Sequence, residues 1–473
     1  MAVSCSDDGD SSTDPSSAPV PLQTSIADGT SDVPVSTTQI VLTYDQKTWH
    51  AMSASITLND AAIDIANLTW DETHTELTVG GLKLDYETTY TLCVPKGAIL
   101  SYDKKHAADE LRLTFSTEVK PAEPDKPTSP TTKLCTANPS AGAQKLYAYL
   151  LSQYGQKVLS STIANVNWNF DEAEMVYNAT GKYPAIATMD YLHFYTLYAD
   201  KSRNPYVGGW RVNYDDISEV KKWWDAGGIV SACWHWNVPN LEGQTNYTCK
   251  PGETTFRPRN IFVDGSWEKR IADEDLALIA SLLKKLQEAG IPVIWRPLHE
   301  ASGNSVNGST AWFWWGIDGA ETYVRLWRYM FDYFEAQGLN NLIWVWTTQT
   351  GYGWSVADGI LSDAAWYPGD EYVDIVGRDE YTRTAAESGA EFEAISSDFA
   401  GKMVTLSECG SVAPIADQWA AGAKWSWFMP WYDNAVGSGT KDFDSHEHAN
   451  KAWWQAAMEA ECVISRDELP DLK

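Results

Sequence analysis

The chain has 473 residues, which is enough for two or three domains and a large buried core. Its 64 acidic residues outnumber 35 basic ones and give a formal net charge of −29. We therefore expect no nucleic-acid partner and no binding to anionic membranes through the protein surface, because both require a surface rich in cations. No apolar run reaches the roughly 18 residues that a membrane-spanning helix needs.

The first 30 residues are rich in Ser, Asp and Pro and lack hydrophobic periodicity, which predicts a disordered tether over residues 1–30. Small residues precede Cys5, and acidic and Ser residues follow it. This arrangement resembles the lipid-attachment site of a bacterial lipoprotein. The resemblance implies that Cys5 carries a lipid and that the protein is extracytoplasmic, anchored at the bacterial cell surface.

Residues 31–118 contain short alternating runs such as TTQIVLTYD, TELTVGG and RLTFST, separated by turn signals. This pattern is typical of a small all-β sandwich domain, and the stretch resembles a bacterial Ig-like domain. We interpret it as a spacer. Trp49, Trp70 and Tyr86 have the chemistry to stack on sugars, but single aromatic residues in a sandwich usually belong to its core.

Residues 119–134 form a Pro-rich linker, with four prolines between positions 119 and 133. Beyond it, over residues 135–473, strand-like apolar runs alternate with helical patterns, which indicates an α/β fold with a parallel sheet. The eight candidate strands predict a closed (β/α)8 TIM barrel; they are residues 157–163, 185–189, 229–234, 291–295, 342–346, 373–376, 403–406 and 425–429.

One helical signal in this region is especially clear. Leu276, Ile279, Leu283 and Leu286 repeat at helical spacing before Gly290. The pattern predicts a helix whose apolar stripe faces the core, with Asp273 as its candidate N-cap.

The stretch IPVIWRPLHE, residues 291–300, joins a predicted buried strand to a group of ionisable side chains. Arg296, His299 and Glu300 follow the apolar run at once, and ligands bind at this end of strands in parallel α/β folds. A structural ion pair between Arg296 and Glu300 would also explain the group. A second carboxylate, Glu408, ends another apolar run, KMVTLSECG.

The aromatic run WFWWG, residues 312–316, follows the first carboxylate. Indole faces suit the C–H faces of pyranose rings. Cleavage of a glycosidic bond needs two carboxyl groups in different protonation states. The two strand-end carboxylates therefore indicate sugar chemistry.

The strings WRPLHE, WFWWG and LSECG, in this order, resemble glycoside hydrolase family 26. YPAIATMDY, GGIVSACWHWNVP, NNLIWVWT and YPGDEYVDIVGRDEY agree as well, and the resemblance covers residues 135–460. It implies an endo-β-1,4-mannanase acting on mannan, glucomannan or galactomannan. The stretch ASGNSVNGSTA between Glu300 and Trp312 is longer than the family's usual link and borders the expected cleft.

The resemblance implies that Glu300 is the acid/base and Glu408 the nucleophile of a retaining mechanism. It implies a hydrogen bond from His235 to the reacting sugar, a stacking platform at Trp312 and a subsite floor at Trp431. We expect His299 and Tyr381 to donate to Glu408. Three further candidates for substrate contact are Trp234, Trp236 and Arg296, of which Arg296 could instead orient Glu300.

The sequence has no glycine-rich phosphate loop and no metal-ligand spacing, so we predict neither a cofactor nor a metal. Apart from Cys5, six cysteines remain, an even number; Cys135 with Cys462 and Cys233 with Cys249 are candidate bridges. We expect a monomer whose partner is a polysaccharide.

Three alternative functions stay open at this point. They are a β-1,3-xylanase or mixed-linkage β-glucanase of the same family, a non-catalytic surface glycan-binding protein, and an adhesin. The presence of both carboxylates argues against the second, since a pure binder does not need both, and an adhesin would leave the barrel unexplained.

Overall fold

The computed structural model describes residues 17–52, 54–120, 129–164, 168–198, 212–307, 310–352, 359–437 and 439–473. The chain divides into two compact units, Met1–Asp125 and Lys126–Lys473. Cys5, the predicted lipidation site, lies outside the described residues. No helix in the described ranges is both long and apolar enough to cross a membrane.

The first unit is all-β, as predicted. One sheet has four antiparallel strands in the order Pro21–Thr24, Ile40–Tyr44, Glu76–Val79 and Leu68–Trp70. The other has the order Thr30–Val33, Leu111–Thr117, Thr89–Val94, Thr57–Leu58 and Ala61–Ala62. A separate pair joins Thr48–His50 to Ile99–Ser101.

Alternate residues of these strands face a common core. Leu42 and Leu77 come from the first sheet, Leu92 and Phe115 from the second, and all four lie in one buried apolar cluster. The intervening positions are half-buried or exposed. This alternation is what a sheet needs when only one of its faces is covered. The unit is therefore consistent with a sandwich.

Eight parallel strands form a closed barrel in the second unit, which confirms the predicted TIM barrel. They are β1 (Val158–Ile163), β2 (Ile186–Asp190), β3 (Ile229–Trp234), β4 (Val293–Pro297), β5 (Leu342–Thr348), β6 (Ile375–Tyr381), β7 (Met403–Gly410) and β8 (Trp427–Pro430). Each pairs with the next, and β8 pairs with β1. A short strand, Val463–Ile464, pairs with β1 as well.

The barrel strands are buried along almost their whole length. All positions of β1, β3 and β5 are buried, and helices cover the outside of a parallel sheet, so both faces of each strand must be apolar or internally paired. This requirement explains the continuous apolar runs of the sequence. It also explains part of the high Trp content, because Trp295, Trp344 and Trp346 lie in β4 and β5 with at most 1% of their surface exposed.

The helices of this unit are α1 (Ala141–Gln153), α2 (Asp171–Thr180), α3 (Ser218–Asp225), α4 (Trp267–Glu288), α5 (Ala320–Ala336), α6 (Ala385–Asp398), α7 (Ile415–Ala420), α8 (Asn434–Gly437) and α9 (Lys451–Glu459). The α4 helix begins earlier than predicted. Its N-cap is Ser266, whose hydroxyl accepts a hydrogen bond from the Lys269 N–H at 3.0 Å, and Asp273 lies within the helix.

Helix α1 covers the N-terminal end of the barrel. The N–H of Ser140, its N-cap, donates to the carbonyl of Asn340 just before β5. At its other end the Tyr154 hydroxyl accepts from the N–H of Val404 in β7. Between β5 and β6 the described residues form two short 3₁₀ turns, Ala364–Trp366 and Asp370–Tyr372, in place of a full helix.

The two predicted disulfides are wrong, since all six described cysteines are free. The Cys135 N–H donates to Asp374 beside the start of β6, whereas Cys462 precedes the strand that pairs with β1. Strands β7 and β8 separate these two positions. Cys233 is fully buried within β3, while Cys249 is half-buried in the loop that follows.

Candidate active site

The turn after β4 carries Glu300 in a strained backbone conformation. Leu298 and Glu300 have φ angles of 48° and 51°, in the left-handed region that side chains with a Cβ rarely adopt. Such a conformation persists only where the surroundings hold it. Here the Tyr323 hydroxyl donates to the Leu298 carbonyl at 3.1 Å, and Trp315 Nε1 donates to the His299 carbonyl at 2.9 Å.

Trp312 completes the support of this turn. Its Nε1–H donates to Glu300 Oε2 at 2.9 Å, and the indole is half-buried. We predicted Trp312 as a stacking platform, and the structure shows that its N–H orients the carboxyl group. One oxygen of Glu300 is therefore fixed by a donor.

A buried aspartate ties the segment after Glu300 to the end of β5. Asp363 accepts hydrogen bonds from the hydroxyls of Ser302, at 2.6 Å, and Thr348, and from the Gln349 N–H at 2.7 Å. Only 3% of its surface is exposed. No sequence pattern predicts this role, because Asp363 lies far from both carboxylates along the chain.

We expect Asp363→Ala to lower the free energy of unfolding by roughly 2–4 kcal/mol, because several buried donors lose their acceptor. The turnover number should fall as well, since the segment beside Glu300 loses its anchor. Chemical denaturation and steady-state kinetics measure both effects. Asp398→Ala is the matched control: this exposed carboxylate accepts from Ser362, and its loss should change stability by less than about 0.5 kcal/mol.

Glu300 and Glu408 meet over the C-terminal mouth of the barrel. Glu408 lies in β7, across the barrel from β4, and is 7% exposed. Carboxyl oxygens of Glu300, Glu408 and Asp379 all lie within 4.8 Å of one another. A third acidic side chain thus belongs to the same cluster.

Arg296 is the cation of this cluster. Its Nη2 donates to Glu408 Oε2 at 3.0 Å and to Asp379 Oδ2, and its Nε donates to the Thr347 hydroxyl at 3.1 Å. Arg296 is 3% exposed. We expected it to contact substrate or orient Glu300, but its hydrogen bonds go to the other two carboxylates. A buried guanidinium between two carboxylates holds both in fixed positions.

The surroundings of the two glutamates separate their protonation states. Burial raises the pKa of Glu300 well above its ordinary value, and the charges of Asp379 and Glu408 raise it further. Burial and Asp379 also raise the pKa of Glu408, but Arg296, the Tyr381 hydroxyl and His235 oppose that shift. Glu300 is therefore the group that keeps its proton, and Glu408 is the ionised carboxylate.

Tyr381, the last residue of β6, donates from its hydroxyl to Glu408 Oε1 at 2.6 Å. With Arg296 on the other oxygen, both oxygens of Glu408 have a donor. The phenol also stays accessible, because 36% of the residue surface is exposed. Tyr381 is thus placed to hold Glu408 ionised beside a bound ligand.

We expect Tyr381→Phe to lower kcat/KM by about 10- to 100-fold, because a hydrogen bond to a charged group contributes about 1.5–3 kcal/mol. The lost donor stabilises the carboxylate, so its removal raises the pKa of Glu408. The acidic limb of the pH–kcat/KM profile should therefore move to higher pH. A drop in rate with an unmoved acidic limb would contradict this role.

His235 and His299 form a buried pair beside the carboxylates. His235 Nδ1 faces Asp190 Oδ2 at 2.6 Å, and its Nε2 faces His299 Nε2 at 3.1 Å. Burial alone would lower the pKa of His235, but Asp190 raises it. Burial lowers the pKa of His299 well below its ordinary value. These opposite shifts favour His235 as the donor and His299 as the acceptor of their contact. This contact stands in place of the predicted bond from His299 to Glu408.

The remaining predicted aromatic contacts differ in their accessibility. Trp431, directly after β8, is half-buried, and its ring centre lies 5.6 Å from that of His235. Trp236 is fully buried, stacks on Trp234 at 4.3 Å and donates from Nε1 to Asp275. It therefore offers no face to a sugar. Phe313, which we did not predict, lies 5.1 Å from the His299 ring.

Asp379 and Asp190, like Asp363, are acidic residues of the site for which the sequence predicted no role. Asp379 and Tyr381 stand two positions apart in β6, so a strand places them on the same side. That spacing was the available signal for Asp379. Asp190 ends β2, at the same end of the barrel as the other site residues.

Among the residues that the structure describes, two groups of side chains have the ligand types for a metal ion: Asp190, Cys233 and His235, and the three clustered carboxylates. In the first, burial raises the pKa of the Cys233 thiol well above its ordinary value, so it stays protonated and is a poor ligand. In the second, Arg296 already forms ion pairs with two of the carboxyl groups. Neither group matches a dedicated metal centre.

A TIM barrel whose mouth holds one protonated and one ionised carboxyl group, with aromatic rings beside them, defines a glycoside hydrolase. The comparisons with known proteins agree with this class. The sequence pattern of glycosyl hydrolase family 26 matches residues 135–454, and the chain belongs to that family.

Several curated relatives are mannan endo-1,4-beta-mannosidases. Mannan endo-1,4-beta-mannosidase B of Piromyces sp. is 33% identical over 308 residues, which are 62% of this chain and 48% of the relative. The match to mannan endo-1,4-beta-mannosidase A of Piromyces sp. covers 50% of that relative. The chain therefore spans about half the length of these curated relatives.

Two solved structures share the barrel. The GH26 domain of an endo-beta-mannanase/endo-beta-glucanase from Prevotella bryantii is 40% identical, covers 72% of this chain and 99% of its own, and has a TM-score of 0.65. The second is a beta-mannanase from a symbiotic protist of the termite Reticulitermes speratus, complexed with gluco-manno-oligosaccharide. It is 34% identical, the match covers 72% of this chain and 99% of that chain, and the TM-score is 0.59.

Proposed function

We propose that the protein is a retaining endo-β-1,4-mannanase that hydrolyses internal bonds of mannan, glucomannan or galactomannan. The observation that carries the retaining mechanism is the spacing of Glu300 and Glu408, whose carboxyl oxygens lie within 4.8 Å. Retaining enzymes need about 5–5.5 Å between carboxyl groups, whereas inverting enzymes need roughly 6.5–9.5 Å to admit a water.

In the first step Glu408 attacks the anomeric carbon while Glu300 gives its proton to the departing glycosidic oxygen. The bond to the leaving sugar breaks, and a covalent bond from Glu408 to the anomeric carbon forms. Arg296 and Tyr381 hold the attacking carboxylate in place through its two oxygens. Trp312 fixes the carboxyl group of the acid.

In the second step Glu300, now ionised, removes a proton from a water that attacks the same carbon. Glu408 leaves, and the product keeps its original β configuration. Once Glu408 is esterified its negative charge is gone, so one cause of the raised pKa of Glu300 disappears. That change suits the switch of Glu300 from acid to base.

The relatives support the choice of substrate. The proteins named above are mannan endo-1,4-beta-mannosidases, a beta-mannanase and the GH26 domain of an endo-beta-mannanase/endo-beta-glucanase. One of the structures holds a gluco-manno-oligosaccharide. The His235 and Trp431 side chains stand beside the carboxylates, where they would contact the reacting sugar. β-1,3-xylan and mixed-linkage β-glucan are the alternative substrates.

A substrate panel tests this proposal. The protein is incubated with mannan, glucomannan, β-1,3-xylan and barley glucan, and the products are sized while the anomeric signals are followed by NMR. We expect early mid-length products from mannan with the β anomer appearing first. Release of monosaccharide alone, a first-formed α anomer, or hydrolysis of only xylan or barley glucan would each contradict part of the proposal.

The N-terminal region is proposed to anchor and space the barrel and to take no part in the catalytic reaction. We propose that Cys5 is lipidated and anchors an extracytoplasmic monomer at the cell surface through a tether that ends before residue 21, because Pro21–Thr24 is a strand of the first unit and does not belong to the predicted tether over residues 1–30. Residues 119–134 act as linker, with an Ig-like spacer between tether and linker. Support comes from the residues around Cys5 and from the all-β first unit. Mass spectrometry of the protein from native membranes should show a lipid on Cys5.

A further inference from the structure

Strand β7 contains an extra residue, Ser407, where it pairs with β6. Arg378 and Asp379 are neighbours in β6, but their partners in β7, Leu406 and Glu408, are two positions apart. Ser407 lies between these partners and outside the regular register, which makes it a β-bulge. Bulges beside active sites re-aim side chains, and this one brings Glu408 opposite Asp379.

The side chain of Ser407 fills the space that a side chain at Gly377 would need. A Cβ at Gly377 would lie 2.9 Å from the Ser407 Cβ and closer still to its Oγ. Gly377 and Asp379 stand two positions apart in β6, so they share one side of the strand. The Ser407 hydroxyl is therefore enclosed on the side that carries Asp379, and the residue is buried.

This hydroxyl is a hydrogen-bond donor to Asp379. Ser407 Oγ lies 2.7 Å from Asp379 Oδ1, and the Arg378 carbonyl, at 3.3 Å, is the more distant acceptor. Arg296 Nη2 donates to the other oxygen, Asp379 Oδ2. Because each oxygen has its own donor, the carboxyl group of Asp379 cannot turn without breaking a hydrogen bond. Its orientation is thus set by β7 as well as by β4.

Asp379 in turn contacts Glu300. Carboxyl oxygens of the two residues lie within 4.8 Å of each other. Burial raises the pKa of Glu300, and the charge of Asp379 and a hydrogen bond between the two carboxyl groups raise it further. A protonated carboxyl group has one O–H to donate, so the orientation of Asp379 determines where the proton of Glu300 points.

We propose that Ser407 is a positioning residue for the acid step. Its hydroxyl holds Asp379 in the orientation that keeps the proton of Glu300 in place until the glycosidic oxygen accepts it. Ser407 itself contacts no substrate in this role and acts through Asp379. The inference rests on the proposed function, in which Glu300 is the acid. Its consequence is that one extra residue in β7 aligns both glutamates, since it also brings Glu408 opposite Asp379.

The test is a double-mutant cycle on soluble mannan that combines Ser407→Ala with Glu300→Gln. With Glu300 present, Ser407→Ala should lower kcat/KM about tenfold or more, the loss expected for a hydrogen bond to a charged group. With glutamine at position 300 there is no acid proton to place, and the same substitution should lower kcat/KM less than about twofold. Aryl β-mannosides with good leaving groups need less protonation, so Ser407→Ala should affect them less than mannan.

Ser231→Ala is the matched control, because Ser231 is a buried serine of β3 whose hydroxyl donates to the Ile294 carbonyl at 3.1 Å. It should leave kcat/KM on mannan within about twofold of the wild type. Ser407→Cys fills the same space with a weaker donor and should show the pattern of Ser407→Ala, so the test does not depend on one variant. Thermal unfolding shows that each variant is folded.

Two results would overturn the role of Ser407. One is an undiminished kcat/KM in the Ser407 variants, and the other is an equal loss with glutamate and with glutamine at position 300. The second result would leave Ser407 a structural role only. A wild type that cuts barley glucan or β-1,3-xylan but no mannan contradicts the proposed function, and the same cycle on that glycan still judges Ser407.

Discussion

Replacing Glu408 with alanine should reduce kcat on mannan by roughly 10⁴-fold or more, because the group that forms the covalent bond is gone. The fold should survive, since Arg296 keeps Asp379 as a partner. Glu393→Ala, which removes an exposed carboxylate from α6, is the control and should leave the rate unchanged. Steady-state kinetics on soluble mannan measure both.

Azide distinguishes the nucleophile from a merely supporting carboxylate. In Glu408→Ala the anion can occupy the vacated space and attack the anomeric carbon of an aryl β-mannoside, whose phenolate leaves. A single displacement gives the α-mannosyl azide, with inverted configuration. A β-azide from this variant, or undiminished hydrolysis of mannan, would refute the assignment of Glu408.

Replacing Glu300 with glutamine should lower kcat/KM on mannan by about 10²- to 10⁴-fold, the usual contribution of general acid catalysis. The amide oxygen still accepts from Trp312, so the local structure is kept. Aryl mannosides with good leaving groups need less protonation and should lose less in the first step. The ratio of the loss in kcat/KM on mannan to the loss on the aryl mannosides measures the contribution of general acid catalysis by Glu300.

The pH profile gives an independent test of the same residue. The pKa of Glu300 is raised in the folded protein, and the protonated form is active, so activity falls as the pH rises through that value. Glutamine has no proton to lose, and the alkaline limb should disappear in the variant. An alkaline limb that persists unchanged would assign the proton to another group.

The barrel was predictable because its strands are buried on both faces. The run 342–346 is apolar throughout and the run 229–234 is interrupted only by Ser231. The order of such runs indicates a closed parallel sheet. The start of α4 was less predictable. Ser266 and Asp273 are both good N-cap residues, and only the backbone geometry decides between them.

The site was predictable where a residue ends a strand and unpredictable where a contact crosses the barrel. Glu300 and Glu408 follow apolar runs that the sequence displays. The contacts of Arg296 with Asp379 and of His299 with His235 join residues far apart in the chain, and nothing local determines them. The left-handed backbone of Glu300 has no signature either, since neither glycine nor asparagine occupies the position.

The charge balance around Arg296 bears on which sugars the cleft accepts. A single guanidinium faces the carboxyl groups of both Asp379 and Glu408. Poly-β-1,4-mannuronate has the same linkage as mannan but an acid at C6 of every residue. Each uronate would add a negative charge beside this group. Electrostatic repulsion would therefore weaken the binding of poly-β-1,4-mannuronate relative to mannan, whatever the shape of the sugar ring.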